Sequence, residues 1–483
     1  MLIKNILWDY VGRFSLLFAN LAVTSVLSRL LSPAEYGEVG IVIAISGLAA
    51  ILLEFGFTAA IIQKKEIDEV QLSTIFYMVL LGSSVIYAVV FVAAPYVAAF
   101  YGLPNLSALL RVSALTFLIN AFNLVPSALI TRNMMFKQQS IRNVALTVAV
   151  GMAAITLAWM GWGVWALVLQ MLLSAFFLVF INLWLTKWLP ARLFNLRSVA
   201  EMFHYSKFLF LSTTIDALFT RADALIIGKA LDVRTVGFFS RSKGMENMVQ
   251  GVTTASLNAV MFPFFSKMQH DEGQIRSLFH RFFAIITTVI FLFTGLAYVN
   301  AFWVFELLFG AQWGVSAGYY RILALSAFAF PLSALILSVV SARGNSKDFF
   351  RAEIIKKLIF LPTFFFIFIG VEAFLYAWVV ANFLAFGVNL QYLTRSIPVY
   401  AAHYWSIVLR FSLILACFLV AYHTGLPVLG FSEHSFAGAI VASLLFVPYF
   451  VTAMYLLVPE PFQLARDQFF QLKNQIEGRF AAR

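Results

Sequence analysis

Residues 72–97 read LSTIFYMVLLGSSVIYAVVFVAAPYV, 26 positions without a charged side chain. About 20 apolar residues in an α-helix cross the hydrocarbon layer of a bilayer. In lipid a helix satisfies its backbone polar groups internally. The stretch therefore predicts a transmembrane helix, and its pattern recurs outward in both directions. Apolar runs and their breakers predict spans at 9–31, 38–62, 72–97, 107–130, 143–161, 163–185 and 207–231, and then at 237–265, 282–303, 317–341, 354–370, 372–394, 408–426 and 436–458. Fourteen spans leave no room for a soluble domain. The tightest breaks are Gly161-Trp162-Gly163 and Gly370. The first run continues to Leu31 without a small-residue cleavage site, so it reads as helix one and not as a cleaved leader.

Composition agrees. Of the 483 residues 62% are hydrophobic and 11% charged, against about 25% charged in an ordinary soluble chain. The net charge of +11 concerns membrane topology and not nucleic acid. With the N-terminus in the cytoplasm, the cytoplasmic segments hold 24 of the 33 Lys and Arg residues and the outer loops one, Arg234. The asymmetry follows the positive-inside rule and puts both termini in the cytoplasm. The single cysteine, Cys417, excludes an internal disulfide and reads as a small buried hydrophobe.

Eight cations fall inside spans or at their outer ends: Arg13, Arg29, Arg111, Arg221, Lys229, Arg241, Lys243 and Arg321. Some of them recur. Arg29, Leu31 and Gly37 match Lys229, Leu231 and Gly237 at an offset of 200, and Arg111 matches Arg321 at 210. A repeat of about six helices keeps the same orientation in both copies and places a substrate between the halves. It divides the chain into a lobe at 1–206, a lobe at 207–395, two further helices within 396–458 and an amphipathic tail at 459–483 that lies on the inner surface.

Leu31-Ser32-Pro33-Ala34-Glu35-Tyr36-Gly37 resembles a recurrent motif of the bacterial polysaccharide transporter family. The stretches Phe55–Glu66, Asp223–Lys229, Val236–Ser242, Phe262–Ser266 and Phe309–Trp313 continue the resemblance in order. It is closest to the colanic-acid exporter type of lipid-linked oligosaccharide flippase, within the multidrug/oligosaccharidyl-lipid/polysaccharide superfamily. The resemblance implies two six-helix lobes rocking about a central cavity, a polyprenyl diphosphate-linked oligosaccharide as cargo, and ion-driven exchange in some members. It further implies a place in exopolysaccharide or lipopolysaccharide assembly, beside polymerase and export machinery.

A cation at membrane depth is costly unless it is paired, snorkels or faces water. Arginine binds phosphate oxygens through paired hydrogen bonds. Arg13, Arg111 and Arg221 are therefore candidate diphosphate contacts, with Arg321, Arg241 and Lys243 behind them. The competing reading is snorkelling for the residues near span ends, and an ion pair with Asp216 or Glu54 for Arg221. Glu54 and Asp216 are candidate carriers of a coupling proton or Na+; their competing role is to neutralise a nearby arginine. Asn120, Asn123 and Asn258 suit a sugar-lined cavity or helix-to-helix contacts. Pro126, Pro263, Pro331 and Pro362 are candidate kinks.

The chain lacks a Walker-type phosphate loop, a nucleophile elbow and His spacing suited to metal, so no catalytic residue, metal or cofactor is expected. The alternatives to the flippase are a lipid II or drug/cation antiporter of the same superfamily and a membrane-embedded glycosyltransferase or polymerase. A drug antiporter calls for cavity acids, and a polymerase calls for a substantial outer loop.

Overall fold

The computed structural model describes residues 2–464 and 466, except 55, 56, 65, 269, 270, 344 and 345; side chains are described outside 2–10, 52–54, 197, 200–213, 252–260, 262, 263, 267 and 346–349. Among the described residues all regular structure is helical: α1 (Leu2–Leu30), α2 (Pro33–Glu54), α3 (Phe57–Gln63), α4 (Glu69–Tyr101), α5 (Pro104–Ser113), α6 (Leu115–Arg132), α7 (Phe136–Trp159), α8 (Val164–Thr186), α9 (Ala200–Ala230), α10 (Val233–Lys267), α11 (Glu272–Phe309), α12 (Gly314–Ala324), α13 (Ala329–Ala342), α14 (Ser346–Phe360), α15 (Val371–Ser396), α16 (Ala401–Val428) and α17 (Phe436–Leu457). Short 3-10 segments occur at Leu196–Val199, Ala311–Trp313 and Leu361–Phe368.

Each of the fourteen expected spans falls on one of these helices or on a broken pair. Among the described residues eleven helical stretches are long and apolar enough to cross a membrane. The other three expected spans lie on α9, on α10, and on α14 with the 3-10 segment after it. α9 and α10 carry Asp216, Arg221, Asp223, Lys229, Arg241, Lys243 and Glu246. Polar residues at that density must face protein or water.

The breaks have local causes. Gly161 and Gly163 take positive φ of 84° and 52° and turn α7 into α8 in four residues, a conformation costly for residues with a Cβ. Pro126 stays inside α6. One interruption comes instead at Ala114, between α5 and α6; the other, at 325–328 between α12 and α13, comes just before Pro331 in the first turn of α13, and both are near the positions that carry the matched Arg111 and Arg321. Pro362 does coincide with a change of geometry, from α-helix to 3-10.

Contacts divide the chain into two compact units, residues 1–240 with 308–312, and residues 241–307 with 313–483. In the first, α1 packs on α7, α6 on α8, α2 on α9, and α4 on α5 and α6. Here the matched segments of the repeat touch. A Cβ on Gly37 would lie 1.7 Å from the Val233 carbonyl oxygen, and one on Gly237 would lie 1.8 Å from that of Pro33. Pro33 and Val233 stand at the same offset of 200 as the two glycines, so the contact is a reciprocal exchange between repeat mates. Only glycine fits there, because the backbones themselves meet. Lys229, at the end of α9, donates to the carbonyl oxygen of Phe100 at 2.6 Å.

The second unit is built on aromatic packing. Phe265, Phe279, Phe283, Phe328, Phe386, Phe411 and Phe446 are fully buried in one apolar core running through α10, α11, α13, α15, α16 and α17. Cys417 corrects the sequence reading: it is exposed on α16, a helix that passes the criterion for a span. The tail beyond Arg466 lies outside the described residues.

Candidate functional site

α9 bends the problem of a mid-span cation into a site. Arg221 lies between Thr220 and Ala222 in a run with no helix terminus near, and its side chain is half-buried. Its guanidinium lies on α2 where Gly47 leaves space: a Cβ there would be 3.0 Å from Nε and 3.2 Å from Cζ. Among the described residues Arg221 is in no ion pair. It lines a cavity of about 570 Å3 in the first unit.

The rest of the lining comes from five other helices. α1 supplies Leu16 and Asn20, α2 supplies Ile43, Ser46 and Gly47, and α6 supplies Thr116, Phe117 and Asn120. Asn143, Leu146 and Thr147 come from α7, and Met171, Ser174 and Leu178 from α8. The described lining holds one charged group, a cation, and no carboxylate. Three carboxamides and four hydroxyls surround it, able to donate and accept hydrogen bonds. Such a surface can hold an anion at Arg221 and polyhydroxylated groups around it.

Asn143 is itself held. Its Oδ1 accepts from Arg142 Nη2 at 2.7 Å and from Arg142 Nε at 3.1 Å. Arg142 Nη1 also donates to Asn182 Oδ1, and Asn182 Nδ2 donates to Asn123 Oδ1 at 2.6 Å. With its carbonyl occupied, the Asn143 amide keeps its NH2 donors for the cavity. Arg142, Asn182, Asn143 and Asn20 were not singled out by sequence reasoning. Arg142 counted as a cytoplasmic loop cation, yet α7 begins at Phe136 and buries it.

The other sequence-expected residues are dispersed. Arg13 is exposed on α1 and is not part of the cavity lining. Arg111 Nε donates to the Phe91 carbonyl oxygen at 3.2 Å, and its guanidinium sits 4.4 Å from the centre of the Phe91 ring. It is thus tied to α4. In the second unit Arg241 stacks 5.1 Å from the Trp313 ring centre and Lys243 4.2 Å from that of Trp378. Arg321 is buried and fully engaged: Nη1 meets Glu433 Oε2 at 2.5 Å, Nη2 donates to the Tyr422 hydroxyl at 2.7 Å, and Nε donates to the Tyr298 carbonyl oxygen at 3.0 Å. Burial alone would raise the Glu433 carboxyl, but the hydrogen bond and charge of Arg321, joined by His423, hold it below the usual glutamate value. Asp216 is exposed, five residues before Arg221 on α9. The side chains of Glu54 and Asn258 lie outside the described residues.

A family model described as polysaccharide biosynthesis protein matches residues 26–318. The chain belongs to this family. Curated relatives include the succinoglycan biosynthesis transport protein ExoT of Rhizobium meliloti, 23% identical over 67% of this chain and 65% of that protein. The teichuronic acid biosynthesis protein TuaB of Bacillus subtilis is 24% identical over 70% of this chain and 71% of its own length. The lipopolysaccharide biosynthesis protein WzxC of Escherichia coli is 23% identical over 74% and 73%. The match with the first of these thus spans a little under two thirds of that relative. Among solved structures, the lipid II flippase MurJ in an inward closed conformation aligns with a TM-score of 0.71, covering 94% of this chain and 99% of that one at 13% identity. An inward-facing multidrug resistance transporter of the MATE family aligns with a TM-score of 0.57 over 80% and 98%, at 15% identity. The family member described here therefore has the all-α polytopic membrane fold of these transporters.

Proposed function

We propose that this protein is a flippase that carries a polyprenyl diphosphate-linked oligosaccharide across the bacterial cytoplasmic membrane by alternating access, for exopolysaccharide or related surface glycan assembly. The observation that carries the proposal is Arg221 lining a cavity together with Asn20, Asn120 and Asn143. The diphosphate binds at the guanidinium and the first sugars meet the amides and hydroxyls. Family membership and the names of the relatives support a transport role in polysaccharide biosynthesis. The bilayer is the medium of both substrate and protein, and no nucleic acid is involved. Polysaccharide polymerase and export machinery would receive the product.

In this proposal the lobes at 1–206 and 207–395 are the moving bodies, both termini are cytoplasmic, and the chain is not an enzyme. Five of the helices that line the cavity come from residues 1–206 and α9 from the start of the second lobe, and the whole lining lies within the unit 1–240 with 308–312. Arg13, Arg241 and Lys243 are secondary phosphate contacts of the cycle. Arg111 and Arg321, already held by Phe91 and Glu433, act as scaffold. Glu54 and Asp216 are the groups to test for H+ or Na+ coupling. The described cavity lining has no acid, which favours an anionic cargo over the cationic cargo of a drug antiporter. Lipid II shares the diphosphate and is separated by the glycan.

The test is transport. Proteoliposomes holding a fluorescent polyprenyl diphosphate oligosaccharide are treated with an external glycosidase, and the fraction of protected sugar is followed. Translocation of this cargo and not of lipid II supports the proposal. Polymerisation or ligation of the sugars without translocation overturns it.

A further inference from the structure

A second cavity, of about 590 Å3, lies in the unit 241–307 with 313–483. It sits where the start of α11, the start of α16 and the short helical stretch after α17 come together, and it plays no part in the transport proposal. His280 from α11, His403 from α16 and Glu460 from the last stretch all line it.

The three side chains converge on one point. His280 Nε2 is 2.8 Å from Glu460 Oε1, and His403 Nε2 is 4.0 Å from Glu460 Oε2. The two imidazole rings are 5.2 Å apart, and the three ligand atoms lie within 4.8 Å of one another. A zinc ion bonds imidazole nitrogen and carboxylate oxygen at about 2.0–2.2 Å, so two of its tetrahedral ligands stand about 3.3 Å apart. Shifts of about an ångström would bring the set to that geometry. An ion pair would use one histidine for one carboxylate; here two imidazoles address the same carboxylate with the same ring nitrogen.

The surroundings narrow the choice of ligand. Arg276 and Arg281 line the same cavity. Their charge works against Ca2+ or Mg2+, which are held by charge through oxygen ligands. A borderline ion that bonds neutral imidazole tolerates this setting better.

We propose that His280, His403 and Glu460 form a binding site for one divalent transition-metal ion of the zinc class, with three protein ligands and a fourth position open to the cavity. The ion ties α11 to the α16–α17 pair, two parts of the chain that the sequence separates widely. Glu460 lies just past α17, so the metal also fixes where the chain leaves the membrane.

The full-length protein in detergent, freed of metal with a chelator, is titrated with Co2+ and the visible absorption of the bound ion is recorded. The expected result is one tetrahedral-type cobalt spectrum per chain, displaced by Zn2+. His280→Ala and His403→Ala each abolish it. Glu460→Gln keeps the size and hydrogen-bonding capacity of the side chain; it lowers affinity by at least the roughly 10- to 100-fold that loss of even an outer-shell partner costs. His423→Ala, whose imidazole hydrogen-bonds with Glu433 and Tyr298 away from this site, leaves the spectrum intact. Thermal unfolding supplies a second readout: Zn2+ raises the melting temperature of the wild type and not that of Glu460→Gln, with both folded equally well without metal. No cobalt spectrum in the wild type, or one that survives both histidine substitutions, overturns the proposal.

Discussion

Arg221 shows how much a single side chain can disclose. A cation far from either end of a span was legible in the sequence as the least explicable residue of the chain. Its neighbours were not, because a lone asparagine in an apolar run looks the same whether it faces a helix or a cavity. Asn120 was among the candidates, whereas Asn20 and Asn143 were not. Gly47 carries the sharpest residue-level prediction. Gly47→Leu would fill the space against the Arg221 guanidinium and displace it. Transport should fall about as far as in Arg221→Ala, while Gly47→Ala, whose Cβ meets only a flexible side chain at 3.0 Å, should retain more. A charge-assisted bond is worth about 1.5–3 kcal/mol, so Arg221→Ala should lose about 10- to 100-fold in apparent affinity for the diphosphate, measured by titrating substrate in the liposome assay. Asn182→Ala removes an acceptor from buried Arg142. It should cost about 1–3 kcal/mol, read as a lowered melting temperature.

Glu433 links a residue to pH. Its pKa is depressed by Arg321 and His423, so the stability it contributes is present above the ordinary carboxylate value of about 4.3. That stability is lost as pH falls through the lower folded value. The melting temperature should therefore drop on acidification below about pH 5, and Glu433→Gln should flatten that part of the profile. Removing the partner of a buried arginine costs about 3–5 kcal/mol, so Glu433→Gln should also be less stable at neutral pH. An unchanged melting temperature at pH 7 would show that the ion pair does not hold the α16–α17 loop.

At the scale of elements, the helices themselves were readable from runs such as 72–97, because lipid demands continuous apolar length. The turn at Gly161-Trp162-Gly163 was readable too, from residue types that suit positive φ. The interruption at Ala114 was not, since no proline or glycine marks it, whereas the one at 325–328 comes just before Pro331, a candidate kink. The Gly37–Gly237 contact was half legible: the match of the two segments is in the sequence, but their meeting is a property of the fold. Gly37→Val or Gly237→Val should each separate α2 from α10. Overpacking of this kind costs about 1–3 kcal/mol, and the measurement is the melting temperature of each variant against wild type. Equal losses from the two would agree with their reciprocal geometry. The cluster of His280, His403 and Glu460 left no trace in sequence spacing, because its members come from three elements far apart in the chain.

For the whole molecule, composition and span pattern carried the fold class, and the alignment with MurJ at a TM-score of 0.71 agrees with it. Charge distribution gave an orientation that transport geometry can test. The site was less legible than the fold. Of six cations expected to bind diphosphate, Arg221 lines the cavity, while Arg111 and Arg321 are engaged with the protein's own groups. A cation count measures how polar the interior is; it does not say which cations are spent on the scaffold.

The central claim is that Arg221 holds the diphosphate of a lipid-linked oligosaccharide during translocation. The most direct measurement compares wild type, Arg221→Ala and Arg221→Lys in proteoliposomes loaded with fluorescent polyprenyl diphosphate oligosaccharide, following protection of the sugar from glycosidase with and without a pH gradient. The account predicts translocation by wild type, loss in Arg221→Ala, and partial retention in Arg221→Lys, which keeps the charge without the paired donors. Translocation by Arg221→Ala at the wild-type rate and substrate affinity would contradict it.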